Sequence, residues 1–310
     1  MLNTVSSIEK TIGNTPLVRL SKIEKTLGLR AELYAKLESF NPAGSAKDRA
    51  ALYMMNDAEE KGILAAGGTI IEATSGNTGI ALSMLAAVRG YRMIVVMPDS
   101  MSRERRDAMR AYGAELVLTD GALGMKGSIE RAERLCSEIP GAVILGQFEN
   151  EANARAHYET TAPEIECQLG GAPDYLVVGV GTGGTISGIG RYLKEKGFST
   201  TVCAVEPDTS AVLSGGKAAP HGIQGIGAGF IPSLLDVSVI DLVRTVSLSE
   251  SLEMMRLLGR AAGIFVGISS GAALAAMVKL AEEKQCIGKR IVGVFPDTGM
   301  RYLSLFGDAN

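Results

Sequence analysis

The run YLVVGVGTGGT, Tyr175–Thr185, decides the fold. Its first half is apolar without alternation, the pattern of a strand covered on both faces in a parallel sheet. Its second half is a Gly-rich turn that opens a helix, so the run reads as the start of a βαβ unit. Backbone N–H groups at a helix N-terminus, with the Thr182 and Thr185 hydroxyls beside them, form a receptor for phosphate. The run also fits the dinucleotide fingerprint, and Glu206 ends the next strand about 20 residues on, where such a fold places its ribose-binding acid. At this point phosphate binding of another kind and NAD binding both stand.

The pattern recurs on either side. Apolar runs at Leu33–Leu37, Thr69–Glu72, Met93–Met97, Glu115–Leu118, Val143–Gln147, Tyr175–Val180, Val202–Glu206 and Arg290–Phe295 read as strands. Helical periodicity falls between them, at Ile80–Arg89, Arg103–Tyr112, Met125–Ser137, Ala152–Leu169, Leu252–Ala262 and Ala272–Glu283. This alternation predicts an α/β chain with mainly parallel sheets. A length of 310 residues suits about two domains, and the best break lies near residues 147–153. Residues 207–248 are the least regular stretch and read as a functional loop around GIGAG, Gly225–Gly229.

Composition narrows the function. Lys plus Arg is 31 and Asp plus Glu is 34, which argues against a general electrostatic grip on nucleic acid. The 38 Gly exceed the roughly 7% of ordinary proteins, and they cluster where a backbone must turn tightly or approach a ligand. The four Cys form no CxxC pair, so zinc and redox spacings are absent and no metal site is expected. Free thiols in a reducing cytosol are the expectation. Met1–Lys10 carries no apolar signal region, and Ile80–Val88, the richest apolar stretch, is too short to span a membrane.

Ligands in open α/β sheets bind beyond the C-terminal ends of strands, and three further segments belong there. TSGNTG, Thr74–Gly79, offers three hydroxyls and an amide ahead of a helix, a receptor for a carboxylate or phosphate and more than a simple cap requires. GISSG, Gly267–Gly271, is read equally well as a cap or a ligand site. In NPAGSAKDR, Asn41–Arg49, Lys47 is either a solvated residue after a turn or a Lys at a helix start, where the positive helix end disfavours an ammonium as a Schiff-base lysine requires. A phosphate cradle, a carboxylate loop, a Ser for a ring nitrogen and an amine nucleophile are together the parts that pyridoxal phosphate needs. The dinucleotide reading uses only the first loop and Glu206. It offers no evident hydride-transfer acid, since His157 and His221 are the only histidines.

On these motifs the chain resembles the cysteine synthase (O-acetylserine sulfhydrylase) family of fold-type II pyridoxal phosphate enzymes. The resemblance runs from IGNTPLVRL (Ile12–Leu20) through GSAKDR (Gly44–Arg49), TSGNTG, ERR (Glu104–Arg106), YGAELVLT (Tyr112–Thr119), GMKG (Gly124–Gly127), QFEN (Gln147–Asn150), GTGGT (Gly181–Thr185), LSGG (Leu213–Gly216), IQGIGAGFIP (Ile223–Pro232) and GISSGAA (Gly267–Ala273) to RYLS (Arg301–Ser304). It implies two three-layer αβα domains like those of the tryptophan synthase β subunit. Residues 43–150 would be a smaller, mobile domain with the substrate loop, and 1–42 plus 151–310 a larger one with the phosphate cup.

The resemblance also implies roles. Lys47 matches the catalytic lysine that anchors pyridoxal 5'-phosphate and moves the Cα proton. Asn77 matches the group at the cofactor's 3' oxygen, Gly181, Thr182, Gly183, Gly184 and Thr185 the phosphate cup, and Ser269 the partner of the ring nitrogen. Thr74, Ser75, Gly76, Thr78 and Gln147 match the substrate-carboxylate site, and Gly225 a loop at the substrate entrance. The reaction implied converts O-acetyl-L-serine and sulfide to L-cysteine and acetate through an α-aminoacrylate intermediate. Cystathionine β-synthase, cysteine desulfhydrase and lanthionine-forming activities share that chemistry and stand as alternatives. A cytoplasmic homodimer, able to take the C-terminal tail of serine acetyltransferase, is implied as well. The chain departs from the family pattern at Ala73 (commonly Pro), Ala162 (Gly), Glu166 (Trp), Thr298 (Ser) and Met300 (Glu). His157 is expected to be a structural hydrogen-bonding residue.

Overall fold

The computed structural model describes residues 4–305. The ends of the expected larger domain, 1–3 and 306–310, lie outside the described residues. The strands are β1 (Leu17–Arg19), β2 (Glu32–Leu37), β3 (Thr69–Ala73), β4 (Arg92–Pro98), β5 (Glu115–Thr119), β6 (Val143–Ile144), β7 (Tyr175–Gly179), β8 (Thr201–Pro207), β9 (Leu242–Val246) and β10 (Arg290–Phe295). The helices are α1 (Ser21–Thr26), α2 (Lys47–Glu60), α3 (Asn77–Arg89), α4 (Arg103–Ala111), α5 (Gly124–Glu138), α6 (Glu151–Ala156), α7 (Ala162–Leu169), α8 (Gly184–Glu195), α9 (Leu248–Leu257) and α10 (Ile268–Ala281).

Two compact units divide the chain. The first is Met1–Ile12 with Asn41–Asn153, and the second is Gly13–Phe40 with Ala154–Asn310. In the first, a four-stranded parallel sheet runs β5-β4-β3-β6. Successive side chains of a strand point to opposite faces, so Ile70 and Val95 pack with Met54, Leu82 and Leu85 of α2 and α3. Ile71, Ile94 and Val96 pack instead against Ala132 of α5. Both faces are covered, which is why these strands read as unbroken apolar runs. The N-terminal segment stays with this unit through Arg89, whose Nε lies 2.8 Å from Glu9.

In the second unit, a six-stranded sheet runs β1-β2-β10-β7-β8-β9. Only β1 is antiparallel to its neighbour. Ile291 and Phe295 of β10 face α10, and Val292 and Val294 face the side of α8. Each unit is therefore a three-layer α/β sandwich. Lys36 of β2 is fully buried, and its ammonium donates to Glu164 at 2.6 Å, to the Thr15 carbonyl at 2.7 Å and to Gln168 at 2.8 Å. Those three acceptors satisfy the charge, as burial demands.

Several elements depart from the sequence reading. The strand expected at Val143–Gln147 stops at Ile144, because the next three N–H groups turn to the Glu72 carboxylate instead of the β3 ladder. The helix expected over Ala152–Leu169 is interrupted by a π turn at His157–Thr161. There α8 presses in so closely that a Cβ on Gly188 would lie 2.2 Å from the Ala154 carbonyl oxygen. Helix α9 begins earlier than expected, because Ser247 and Glu250 form a reciprocal capping box. Strand β9 falls inside the stretch that read as irregular.

Among the described residues the four cysteines are free thiols, and burial pushes Cys203 up to about 12. No group of three or more potential metal ligands occurs among the described residues. No helix among them is long and apolar enough to cross a membrane.

Candidate active site

Strand order locates the site residues before any side chain is considered. From β3 the chain moves to β4 and β5 on one side, then returns to place β6 on the other. The gap beyond β3 and β6 is a topological switch point, where open α/β sheets bind ligands. In the second unit β8 and β9 lie on one side of β7 and β10 on the other, so the ends of β7 and β10 form a second switch point. The residues singled out from the sequence fall into two sets, one in each unit.

In the first unit, β3 delivers Thr74 and α3 begins at Asn77. The Thr74 N–H donates to Val96 O at 3.1 Å, extending the β3–β4 ladder by one residue. Gly76 adopts an extended conformation as the N-cap, and its N–H points to the Thr74 hydroxyl at 3.4 Å. The backbone here is crowded. A Cβ on Gly79 would lie 2.7 Å from Met109 and 3.0 Å from the Thr74 methyl. Arg105 of α4 donates to the Ser75 carbonyl at 3.4 Å, which supports the loop from outside.

The loop meets the end of β6 through side chains. Thr78 donates its hydroxyl hydrogen to Gln147 Oε1 at 2.6 Å, and both residues are buried. With that oxygen occupied, the Gln147 NH₂ is the part of the amide left to donate. Asn153 Nδ2 donates to the Gln147 carbonyl at 2.8 Å and Asn150 Nδ2 to the Leu145 carbonyl at 2.9 Å. Thr74, Ser75, Gly76, Asn77, Thr78 and Gln147 thus form one polar cluster at a helix N-terminus, suited to a carboxylate.

Lys47 belongs to the same unit and is the first residue of α2. The turn before it is fixed by Asp48, fully buried in the first turn of the helix. Its carboxylate accepts from the Ala43 N–H at 2.6 Å and the Ser45 hydroxyl at 3.2 Å. Gly44 sits at φ +83, a conformation other residues rarely adopt. Of the two readings of Lys47, the structure shows the Lys at a helix start, and it is half-buried. Asp48 was missed as a determinant of this turn. The Ser45-to-Asp48 spacing, a capping-box pattern, was the available signal.

In the second unit, β7 runs into Gly181–Gly183 and α8 starts at Gly184. The turn has no room for side chains at its glycines: a Cβ on Gly181 would lie 2.4 Å from the Gly225 carbonyl oxygen. Gly183 has φ +88, and a Cβ there would lie 2.8 Å from Leu235. The loop behind is tied on by the Gly227 N–H, which donates to Val180 O at 2.8 Å. What the turn presents is backbone N–H, the Thr182 hydroxyl, and the Thr185 hydroxyl, the last 3.1 Å from His157 Nε2. This cradle of helix-N-terminal amides, which no side chain could fill, fits a phosphate. His157 is fully buried and also meets Thr161 at 2.9 Å, so it acts as the structural bridge expected.

Ser269 lies in the first turn of α10, buried, and a Cβ on Gly225 would sit 3.5 Å from its hydroxyl. The neutral hydroxyl suits a ring nitrogen. Beside it the buried Ser270 Oγ has no hydrogen-bond partner among the described residues. Glu206 does not serve a ribose. Its carboxylate accepts from the Leu213 N–H at 2.7 Å and the Ser214 N–H at 3.0 Å, so the acid that favoured a dinucleotide is committed to its own loop. Glu166, where the family commonly has Trp, accepts the Tyr192 hydroxyl hydrogen and thereby lifts that phenol to about 12.

A family model described as pyridoxal-phosphate dependent enzyme matches residues 8–297. Cysteine synthase of a Flavobacterium species is 53% identical over 258 residues, 83% of this chain and 83% of that protein. Cysteine synthase of Staphylococcus aureus is 46% identical over 301 residues, 97% of this chain and 96% of that protein. Among solved structures, an O-ureido-L-serine synthase matches with a TM-score of 0.94 at 45% identity, covering 99% of this chain and 97% of that one. Cysteine synthase of Entamoeba histolytica matches with a TM-score of 0.94 at 43% identity, over 98% and 90% of the two chains. A hydrogen sulfide-producing enzyme of Fusobacterium nucleatum matches with a TM-score of 0.92 at 44% identity, over 96% and 100%.

Proposed function

We propose that this chain, which belongs to the pyridoxal-phosphate dependent enzyme family, is a cysteine synthase that replaces the acetoxy group of O-acetyl-L-serine with sulfide. The observation that carries the reading is 46% identity to a cysteine synthase along 97% of the chain. Bound, the cofactor supplies an electron sink for negative charge at the substrate Cα.

This chain's own residues do the rest. Gly181–Thr185 would hold the cofactor's phosphate, Asn77 its 3' oxygen and Ser269 its ring nitrogen, and Lys47 would anchor it covalently. Thr74, Ser75, Gly76, Thr78 and Gln147 hold the substrate carboxylate, with the Gln147 NH₂ turned to donate. Lys47 Nζ, when free, would take the proton from the substrate Cα, and acetate would leave from Cβ. Sulfide adds at Cβ, and Lys47 Nζ returns the proton to Cα. Ser269 is neutral and cannot keep the ring nitrogen protonated as a carboxylate would, which favours elimination and replacement over transamination.

A second reading keeps every residue and changes the reactants. It is favoured by the near-equal likeness to an O-ureido-L-serine synthase and a hydrogen sulfide-producing enzyme. The test is product analysis. Purified protein with O-acetyl-L-serine and sulfide should form L-cysteine and acetate in equal amounts, and Lys47→Ala should form neither. Faster turnover with hydroxyurea, the nucleophile an O-ureido product requires, or faster sulfide release from cysteine alone, would transfer the assignment to the second reading. The resemblance also supports a cytoplasmic homodimer that takes the C-terminal tail of serine acetyltransferase. Sedimentation with and without a peptide of that tail measures both the mass and the binding.

A further inference from the structure

The mechanism above does not use the buried carboxylate of Glu72. Glu72 is the fourth of the five residues of β3, only 3% exposed, in a strand that otherwise reads Thr-Ile-Ile-Ala. An acid in a strand covered on both faces is costly unless its oxygens are bonded. Here they are bonded in an unusual way. Glu72 accepts from the N–H groups of three consecutive residues, Leu145 at 3.2 Å, Gly146 at 3.3 Å and Gln147 at 3.4 Å. The end of β6 is therefore clamped to a side chain of β3 and not to its backbone.

We propose that Glu72 is a positioning residue for the substrate carboxylate: it fixes the turn carrying Gln147 to the strand that delivers Thr74 and Ser75. The proposal rests on the assignment of those residues to the substrate carboxylate. Gln147 is otherwise held through its side chain by Thr78 and through its carbonyl by Asn153. Its N–H is the third point, and Glu72 is what that point meets. With all three made, the amide has one orientation. With the Glu72 clamp released, the two-residue strand β6 ends in a turn with no ladder to hold it.

The clamp depends on charge, because an ionised carboxylate accepts N–H bonds more strongly than a neutral acid. Burial pushes Glu72 up to about 7, against the three backbone N–H groups that pull it down. No charged side chain contributes to that balance. On the elements packed against β3, Arg92 of β4 pairs with Glu115, and Arg89 of α3 pairs with Glu9 and Glu59. Helix α5, with Lys126, Glu130, Arg131, Glu133, Arg134, Cys136 and Glu138, packs on the opposite face of the sheet. Lys47, Asp48 and Arg49 open α2 in the same unit, and none of them is among the groups that shift Glu72.

The test is the holoenzyme of the wild type and Glu72→Gln, with KM and kcat for O-acetyl-L-serine measured from pH 6 to pH 8. At pH 8 the variant's KM should be about tenfold above wild type, the same rise expected of wild type itself when its competent, charged form falls from about nine-tenths at pH 8 to about one-tenth at pH 6. At pH 6, where wild-type Glu72 is mostly neutral, the ratio should approach one. The kcat of the variant should stay within about threefold. A ratio near one at pH 8, or a ratio that does not change with pH, overturns the proposal. Glu72→Asp, which keeps the charge, should recover part of the loss.

If Glu72→Gln does not fold, amide exchange decides on the wild type alone. Leu145–Gln147, corrected for intrinsic chemistry, should be protected about tenfold less at pH 6 than at pH 8, and equal protection overturns the proposal. Gln147→Ala separates this inference from the reading it rests on. If that variant leaves the KM unchanged, the carboxylate assignment itself fails. If Gln147→Ala raises KM and Glu72→Gln does not, only the positioning role fails.

Discussion

Thr78 and Gln147 are 69 residues apart in sequence and joined by a 2.6 Å hydrogen bond in which the hydroxyl donates to the amide oxygen. That direction matters, because it decides which end of the Gln147 amide is available to a ligand. Thr78→Val keeps the shape of the side chain and removes the donor. A hydrogen bond of this kind contributes about 1 kcal/mol net. The variant should raise KM for O-acetyl-L-serine roughly five- to tenfold, with kcat changed much less, in steady-state kinetics. An unchanged KM would show that Gln147 does not depend on Thr78 for its orientation.

The turn proposed to hold the phosphate makes a separate prediction. A Cβ on Gly181 would lie 2.4 Å from the Gly225 carbonyl oxygen, a backbone atom that cannot swing aside as a side chain would. Gly181→Ala must therefore deform the turn or push back the Gly225 loop, at a cost of about 1–3 kcal/mol. Cofactor affinity should fall about ten- to a hundredfold, read by titrating pyridoxal phosphate into the apoprotein and following visible absorbance. Gly259→Ala, where no atom lies within 4 Å of the added carbon, is the control and should bind as wild type.

What the sequence displayed and what it concealed divide along a physical line. Strands β3, β4, β7, β8 and β10 were legible because burial on both faces leaves continuous apolar runs. The glycine motifs were legible because ligand approach and tight turns exclude side chains. Strand β1, with three residues, and α1, with six, are too short to show a period. The π turn at His157–Thr161 answers to α8, a neighbour distant in sequence, so no local pattern announces it. Other features were visible and unused: SLSE at Ser247–Glu250 is a capping box, and an acid inside TIIEA is an anomaly that asks for a partner. Thr78 and Gln147 were each assigned to the substrate, but that they hold one another is a fact of sheet order, set by β6 returning beside β3.

Lys36 tests the cost of burial away from the site. Its ammonium is fully buried and meets Glu164, whose side chain is only 13% exposed, at 2.6 Å. Lys36→Met keeps the stem and removes the charge, leaving a poorly solvated carboxylate. Breaking a buried pair in this way costs about 3–5 kcal/mol. Thermal unfolding should show a marked loss of Tm. The double variant Lys36→Met with Glu164→Gln should recover part of it, because the stranded charge is then gone.

Glu72 makes a prediction about stability that needs no substrate. Its carboxyl is raised from 4.5 to about 7 in the folded protein, so between these values the folded state holds a proton that the unfolded state has released. Stability from this group is then fully present below about pH 4.5 and lost as the pH rises to about 7. Two and a half units correspond to roughly 3 kcal/mol. Glu72→Gln cannot ionise and escapes that loss. Relative to wild type, the variant's Tm should therefore climb steadily from pH 4.5 to pH 7 and level off above it, in thermal scans of the two proteins under matched buffers. A difference that is flat across this range, or that shrinks as the pH rises, would mean that Glu72 is already ionised in the folded protein at low pH and that its three N–H donors outweigh its burial.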